Sequence, residues 1–120
     1  MIRVLVVDDF GTVRMLQRQA LAEIGVSEVV EASDGVEAVA AITEQKFDLV
    51  ITDWNMPKLS GMDLLRAIRK VSRELPVLMV TSNDRRQQVE EAAGVGVSGY
   101  IVKPFDRTRY QMTVAKILGI

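Results

Sequence analysis

Phe47-Asp48-Leu49-Val50-Ile51-Thr52-Asp53-Trp54-Asn55-Met56-Pro57 is the stretch whose reading decides the fold. An apolar run, Leu49 to Ile51, leads into an aspartate and is stopped by a proline. Short apolar runs between breakers read as strands buried on both faces, as in parallel sheets. The residue before Pro57 is biased away from helix, so the chain turns after Asp53. Asp53 is therefore expected at the carboxyl end of a central strand, facing a loop. In open α/β sheets that edge is where ligands bind.

The same pattern recurs on either side. Ile2-Arg3-Val4-Leu5-Val6-Val7 reads as a first strand ending at Asp8-Asp9, and Val13, Leu16, Ala20 (or Leu21) and Ile24 then follow helical spacing to Gly25. Glu28 to Ala32 is a short second strand. Asp34 with Glu37 resembles a capping box opening a helix to about Glu44. Ser60 with Asp63 suggests another cap, for a helix to about Val71. Val77 to Val80 is a fourth strand ending at Thr81. Asn83 or Asp84 is expected to cap a helix with a thin apolar face of Val89, Ala92 and Ala93. Tyr100-Ile101-Val102 is the fifth strand, ending at Lys103-Pro104, and Tyr110, Val114, Ile117 and Leu118 line the last helix.

Strands alternating with helices imply an α/β fold, a doubly wound parallel sheet with right-handed crossovers. The first, third and fourth strands are the most apolar and belong in the centre; the second and fifth suit the edges. The expected order of the five strands is 2-1-3-4-5, with five helices and one domain over residues 1–120. This order brings Asp8, Asp9 and Asp53 together at one edge, with Thr81 and Lys103 arriving from the fourth and fifth strands, and leads to the expectation that Asp8 sits farther from Lys103 than Asp53 does.

Composition removes several function classes. The net charge of −1 gives no electrostatic case for binding nucleic acid or a membrane surface. With no cysteine and no histidine, disulfides, thiolate chemistry, histidine triads and Cys/His metal sites are all excluded. No apolar run approaches the ~18 residues of a membrane span, and Met1 leads directly into a strand, so a cytoplasmic protein is expected.

Three carboxylates in one cleft repel: at ~5 Å and an effective dielectric of ~20, each pair costs roughly 3 kcal/mol. A hard divalent cation relieves this, and oxygen-only ligands point to Mg2+, with Mn2+ possible, rather than zinc. Lys103 adds a fixed positive charge and Thr81 a hydroxyl, both suited to phosphoryl oxygens. Phosphoryl transfer needs mainly positioning and charge neutralisation, so this set suffices for Asp53 to act as the nucleophile and form an acyl phosphate. Taken singly, each group has an ordinary reading: a helix cap for Asp8 or Asp9, a strand-end hydroxyl for Thr81, a solvated cation for Lys103. Delivery from four separate strand ends to one edge is what carries the argument.

Val6-Val7-Asp8-Asp9, Asp53-Trp54-Asn55-Met56-Pro57, Val80-Thr81-Ser82 and Tyr100-Ile101-Val102-Lys103-Pro104-Phe105 resemble, as an ordered set, the receiver domain of two-component response regulators. The order 2-1-3-4-5 is itself best known from flavodoxin and a chemotaxis regulator of this family, so it is not an independent deduction. Within the family, Asp53 to Pro57 and Ser98-Gly99-Tyr100 look most like the chemotaxis members, which bind the flagellar motor switch.

The resemblance implies that Asp53 is the phosphoacceptor. It implies that Asp9 and Asp53 ligate Mg2+ directly, Asn55 through its backbone carbonyl and Asp8 through water. It further implies that Thr81 and Lys103 contact the phosphoryl group, that Tyr100 is the aromatic that turns inward on activation, and that Asn55 and Asn83 modulate hydrolysis. It implies a cis Lys103-Pro104 bond. The implied partners are a histidine kinase, a protein output target such as a motor switch protein, and a phosphatase. The chain itself would be a monomer and not an enzyme, though it would phosphorylate itself from small donors and dephosphorylate itself. Three positions depart from the pattern: Ser60 where aspartate is frequent, Ser82 where alanine is common, and Asn83 where chemotaxis members typically carry an acid. Two alternatives stand beside this reading: a haloacid dehalogenase-like hydrolase, with Asp8 of Val7-Asp8-Asp9-Phe10-Gly11-Thr12 as nucleophile, and a degenerate receiver that only binds partners.

Overall fold

All 120 residues are described by a computed structural model. The strands are β1 (Arg3–Val7), β2 (Glu28–Ala32), β3 (Leu49–Thr52), β4 (Val77–Thr81) and β5 (Gly99–Val102), and the helices are α1 (Gly11–Glu23), α2 (Gly35–Glu44), α3 (Gly61–Val71), α4 (Arg86–Val95) and α5 (Arg107–Leu118). They form one sheet in the order β2-β1-β3-β4-β5, every pair parallel, as the sequence predicts.

Side chains on a strand alternate between faces, and here both faces are covered. Val4, Val6, Leu49, Ile51, Leu78, Val80 and Ile101 pack with Ala20 and Leu21 of α1 and Tyr110 and Val114 of α5. Leu5, Val7, Val50 and Val77 face the other way, onto Ala38 of α2, Met62, Leu64, Leu65 and Ile68 of α3, and Ala92 of α4. Double coverage explains why the three central strands read as unbroken apolar runs. The edge strands β2 and β5 are only partly buried.

The caps at Asp34 and Ser60 form as expected, accepting hydrogen bonds from the Glu37 and Asp63 amides. Three local expectations fail. Neither Asn83 nor Asp84 caps α4: the cap position is Arg85, which has no capping side chain, because Asn83 spends its oxygen closer by, on the Arg85 amide at 3.4 Å. In the same helix Ala93 faces solvent and Ala92 alone is buried. On α1, Leu16 is exposed while Gln17 is buried, its amide oxygen accepting from the Tyr110 hydroxyl at 2.9 Å. Only a distant partner makes a polar residue tolerable on that face.

Candidate functional site

Register builds the site before any side chain is considered. Val7 lies opposite Thr52, so Asp8 and Asp53 leave the sheet side by side. The ladder continues one step beyond the strands: the Asp8 amide donates to Ala32, the Asp53 amide to Val7 and the Lys103 amide to Thr81. Thr81 stands opposite Val102, which sets Lys103 just past the end of β5.

Behind Asp53 the backbone is fixed by close packing. The Gly61 amide donates to Trp54 at 2.8 Å, and a Cβ at Gly61 would overlap the Asp53 carbonyl. A Cβ at Gly35 would likewise overlap Leu59, so the β3–α3 loop is seated on the start of α2, where Lys58 pairs with Asp34 at 3.4 Å. The Asp34 carboxyl is held below its ordinary range, first by the Glu37 amide and then by the Lys58 charge, which outweigh the effect of its burial.

The carboxylates of Asp8, Asp9 and Asp53 offer oxygens within 4.8 Å of one another. Asp8 is fully buried and Asp53 is 7% exposed, whereas Asp9 faces solvent. Lys103 bridges the buried pair, with Nζ 2.7 Å from Asp8 Oδ2 and 3.2 Å from Asp53 Oδ2. Burial works against its charge, but the bond to Asp8 and the field of Asp53 prevail and hold its pKa above the ordinary lysine value. The expectation that Asp8 lies farther from Lys103 than Asp53 is therefore wrong. Counting strands measures backbone spacing, whereas the long lysine stem crosses the cleft. Each aspartate keeps one oxygen on its own loop, Asp8 Oδ1 on the Phe10 amide and Asp53 Oδ1 on the Trp54 amide, and turns the other toward the ammonium.

Three oxygen donors with one neutralising lysine leave a net negative cleft, open on the Asp9 side. Its donors are all hard and no nitrogen or sulfur ligand is near, so the residues fit Mg2+ or Mn2+.

Thr81 is buried, and its hydroxyl accepts from the Asn83 amide at 3.3 Å, leaving its own proton free to donate. Tyr100 is half-buried and donates to the Asn83 carbonyl at 2.6 Å. Burial, and then the charges of Asp53 and Asp84, raise its pKa. One loop residue thus joins Thr81 to Tyr100 through its own backbone. Asn55 does not meet the acidic trio through its side chain; it is exposed and, with Ser82, Asn83 and Gln88, lines a polar recess of about 360 Å³ beside the cleft. The Lys103-Pro104 bond is cis, as expected.

Arg14 was not legible as part of the site. Its Nη1 donates to the Asp8 carbonyl at 2.6 Å and its Nε to Glu31 at 2.8 Å. Glu31 is also held by Arg18; burial would raise its pKa, but the two guanidinium groups lower it below the ordinary value. The available signal was an arginine one turn into the helix that follows paired aspartates.

Residues 4–115 match the response regulator receiver domain. The chain belongs to that family. It is 44% identical over 117 residues to "Chemotaxis protein CheY" of Pseudomonas aeruginosa, covering 96% of this chain and 94% of the relative. "Chemotaxis protein CheY-3" of Vibrio cholerae is also 44% identical, over 96% of this chain and 90% of its own length. Among solved structures, the Vibrio cholerae chemotaxis protein CheY4 superposes with a TM-score of 0.90 at 35% identity, over 98% of this chain and 99% of that one. A receiver domain protein from Clostridium thermocellum gives 0.90 at 31%, over 99% and 95%. Membership at this coverage removes the haloacid dehalogenase alternative. No helix of the receiver is long and apolar enough to cross a membrane.

Proposed function

We propose that this receiver, residues 1–120, is a phosphorylation switch in which Asp53 takes a phosphoryl group from the phosphohistidine of a histidine kinase. One observation carries the reading: the buried Asp8 and Asp53 share the Lys103 ammonium, with Asp9 within 4.8 Å and open to solvent. Asp53 is the better nucleophile of the two buried aspartates. It is the more accessible, and its bond to Lys103 is the longer, so an oxygen is more readily released.

An Asp53 oxygen attacks phosphorus, the donor's P–N bond breaks, and the electron pair leaves on the imidazole. Lys103 then transfers an ion pair from Asp53 to a phosphoryl oxygen, and Thr81 donates its free proton to another. Asp8, Asp9 and Asp53, with the Asn55 carbonyl, would hold Mg2+ or Mn2+. Bound there, the cation neutralises charge on the carboxylates and on the transferring group.

Movement of Thr81 toward the phosphoryl group pulls on Asn83 and so on Tyr100, which gives the output face its signal. Asn55 and Asn83 flank the route of hydrolytic water, so they set how fast the chain or a phosphatase resets it. The names of the 44% identical relatives support a chemotaxis role; in that role the chain would act as a cytoplasmic monomer with a flagellar motor switch protein as output target.

The test is chemical. Incubation with Mg2+ and acetyl phosphate, reduction of the acyl phosphate with borohydride, and peptide mapping should label residue 53 and lose the label in Asp53→Asn. A label on Asp8 that survives Asp53→Asn overturns the assignment, and no label at all favours a receiver that only binds partners.

A further inference from the structure

We infer that Arg14 is a positioning residue for the acidic cluster: it fixes the Asp8–Asp9 peptide, and through it the direction of the Asp9 carboxylate, and so sets the affinity for divalent cation. The inference rests on the metal-dependent reading above.

Asp9 is exposed, and neither ion pair of the site includes it. Only its backbone can aim it. That backbone is held on the Asp8 side at four points. The Asp8 amide bonds to Ala32, the Phe10 amide to Asp8 Oδ1, the Arg14 amide to the Phe10 carbonyl, and Arg14 Nη1 to the Asp8 carbonyl. The first and third are backbone contacts that any sequence with this fold can make, and the second needs only Asp8 itself. The fourth is a side chain reaching back six residues from α1, a helix whose cap position, Phe10, supplies no side-chain bond.

An arginine suits this task because its planar fork holds two acceptors at a fixed angle. Here the second acceptor is Glu31, opposite Val6 on the neighbouring strand, so the guanidinium is anchored to the sheet rather than to the mobile end of a loop. Arg14 is only 19% exposed, and Arg18 clamps Glu31 from the other side at 2.9 Å. The result is a strut from the sheet edge to the metal loop. Residues that orient ligands from behind are worth about 10–100-fold in metal affinity.

The experiment titrates Mg2+ against the quenching of Trp54, the chain's single tryptophan, and measures the rise in melting temperature at saturating Mg2+. Wild type is compared with Arg14→Gln, Arg14→Lys and Arg18→Ala. Arg14→Gln should weaken Mg2+ binding by about 10-fold, while the phosphorylation rate at saturating Mg2+ changes far less. Arg14→Lys, which keeps the charge but cannot span both acceptors, should fall between, and stands in if the glutamine variant does not fold. Arg18→Ala loses a Glu31 contact without touching Asp8, so it should lower the melting temperature and leave Mg2+ affinity unchanged. Equal Mg2+ affinity in wild type and both Arg14 variants would overturn the inference and leave Arg14 a merely structural residue. A wild type that neither binds Mg2+ nor labels on Asp53 overturns the underlying reading, and this inference with it.

Discussion

The helices α3 and α4 both follow a strand end that feeds the site, yet they are built to opposite standards. In α3, Ser60 caps the first turn, and Gly61, Met62, Leu64, Leu65 and Ile68 are buried. Arg69 donates from its side to the carbonyls of Ser72, Leu75 and Gly96. In α4 the N-terminus has no side-chain cap, only Ala92 is buried, and Gly94 sits within the last turns. The Gly96 carbonyl is held by α3's arginine, so the better anchor of α4 is at its C-terminal end. The difference separates two duties. The β3–α3 side must hold Asp53 still, whereas the β4–α4 side must be able to shift when Thr81 does. Segments that switch come from the low-stability end of a fold.

The sharpest way to break this contrast is Gly61→Ala. The added methyl would overlap the Asp53 carbonyl, so the loop must move. A loss of at least ~3 kcal/mol is expected, at or above the upper end of over-packing costs, together with loss of acetyl phosphate labelling. Chemical denaturation measures the first, and a stable, labelled variant would show that the rigid side is not rigid. Next comes a matched pair. Leu65→Ala, in the α3 core, should cost about 2–5 kcal/mol. Val89→Ala, half-buried on α4, should cost under about 1 kcal/mol. Similar losses would erase the distinction.

A third test reads motion directly. Amide hydrogen exchange should be at least ~10-fold faster in α4 than in α3, equivalent to about 1.4 kcal/mol in local opening. With beryllofluoride bound, protection should change across residues 83–105 and hardly at all in α3. Equal protection of residues 83–105 in both states would put the switch elsewhere. The smallest effect is the most pointed. A Cβ at Gly94 meets nothing within 4 Å. Gly94→Ala should therefore stabilise the protein by about 0.5–1 kcal/mol through helix propensity alone. If α4 is the moving part, this stiffer helix should also respond less to beryllofluoride in the same exchange measurement.

The strands, the choice of edge strands and the five groups at strand ends were legible because each rests on local pattern: apolar runs, a proline stop, aspartates at strand ends; the sheet order rested also on its occurrence in similar folds. The caps at Asp34 and Ser60 were legible for the same reason. What escaped the sequence depended on partners far away in the chain. Gln17 carries no apolar signal and is buried because Tyr110 supplies its hydrogen bond. Leu16, which fits the helical period equally well, is left facing out. Asn83 looked like a cap because asparagine commonly is one, but its backbone serves Thr81 and Tyr100 and its side chain turns on its own loop. The placement of Lys103 was misjudged because strand order fixes where a Cα lies and not where a long side chain ends. Arg14 escaped because its two acceptors, a carbonyl and Glu31, meet only when β1, β2 and α1 are assembled.

The Gln17–Tyr110 bond joins residues 93 positions apart, between the first helix and the last. At ribosomal speed, about 5–20 residues per second, Gln17 waits roughly 5–20 s for its partner to be made. During that interval α1 carries on its inward face an amide that discourages burial. The nascent chain therefore has a built-in reason to keep that face of the sheet open until α5 arrives, so closure of the domain is timed by the synthesis of α5.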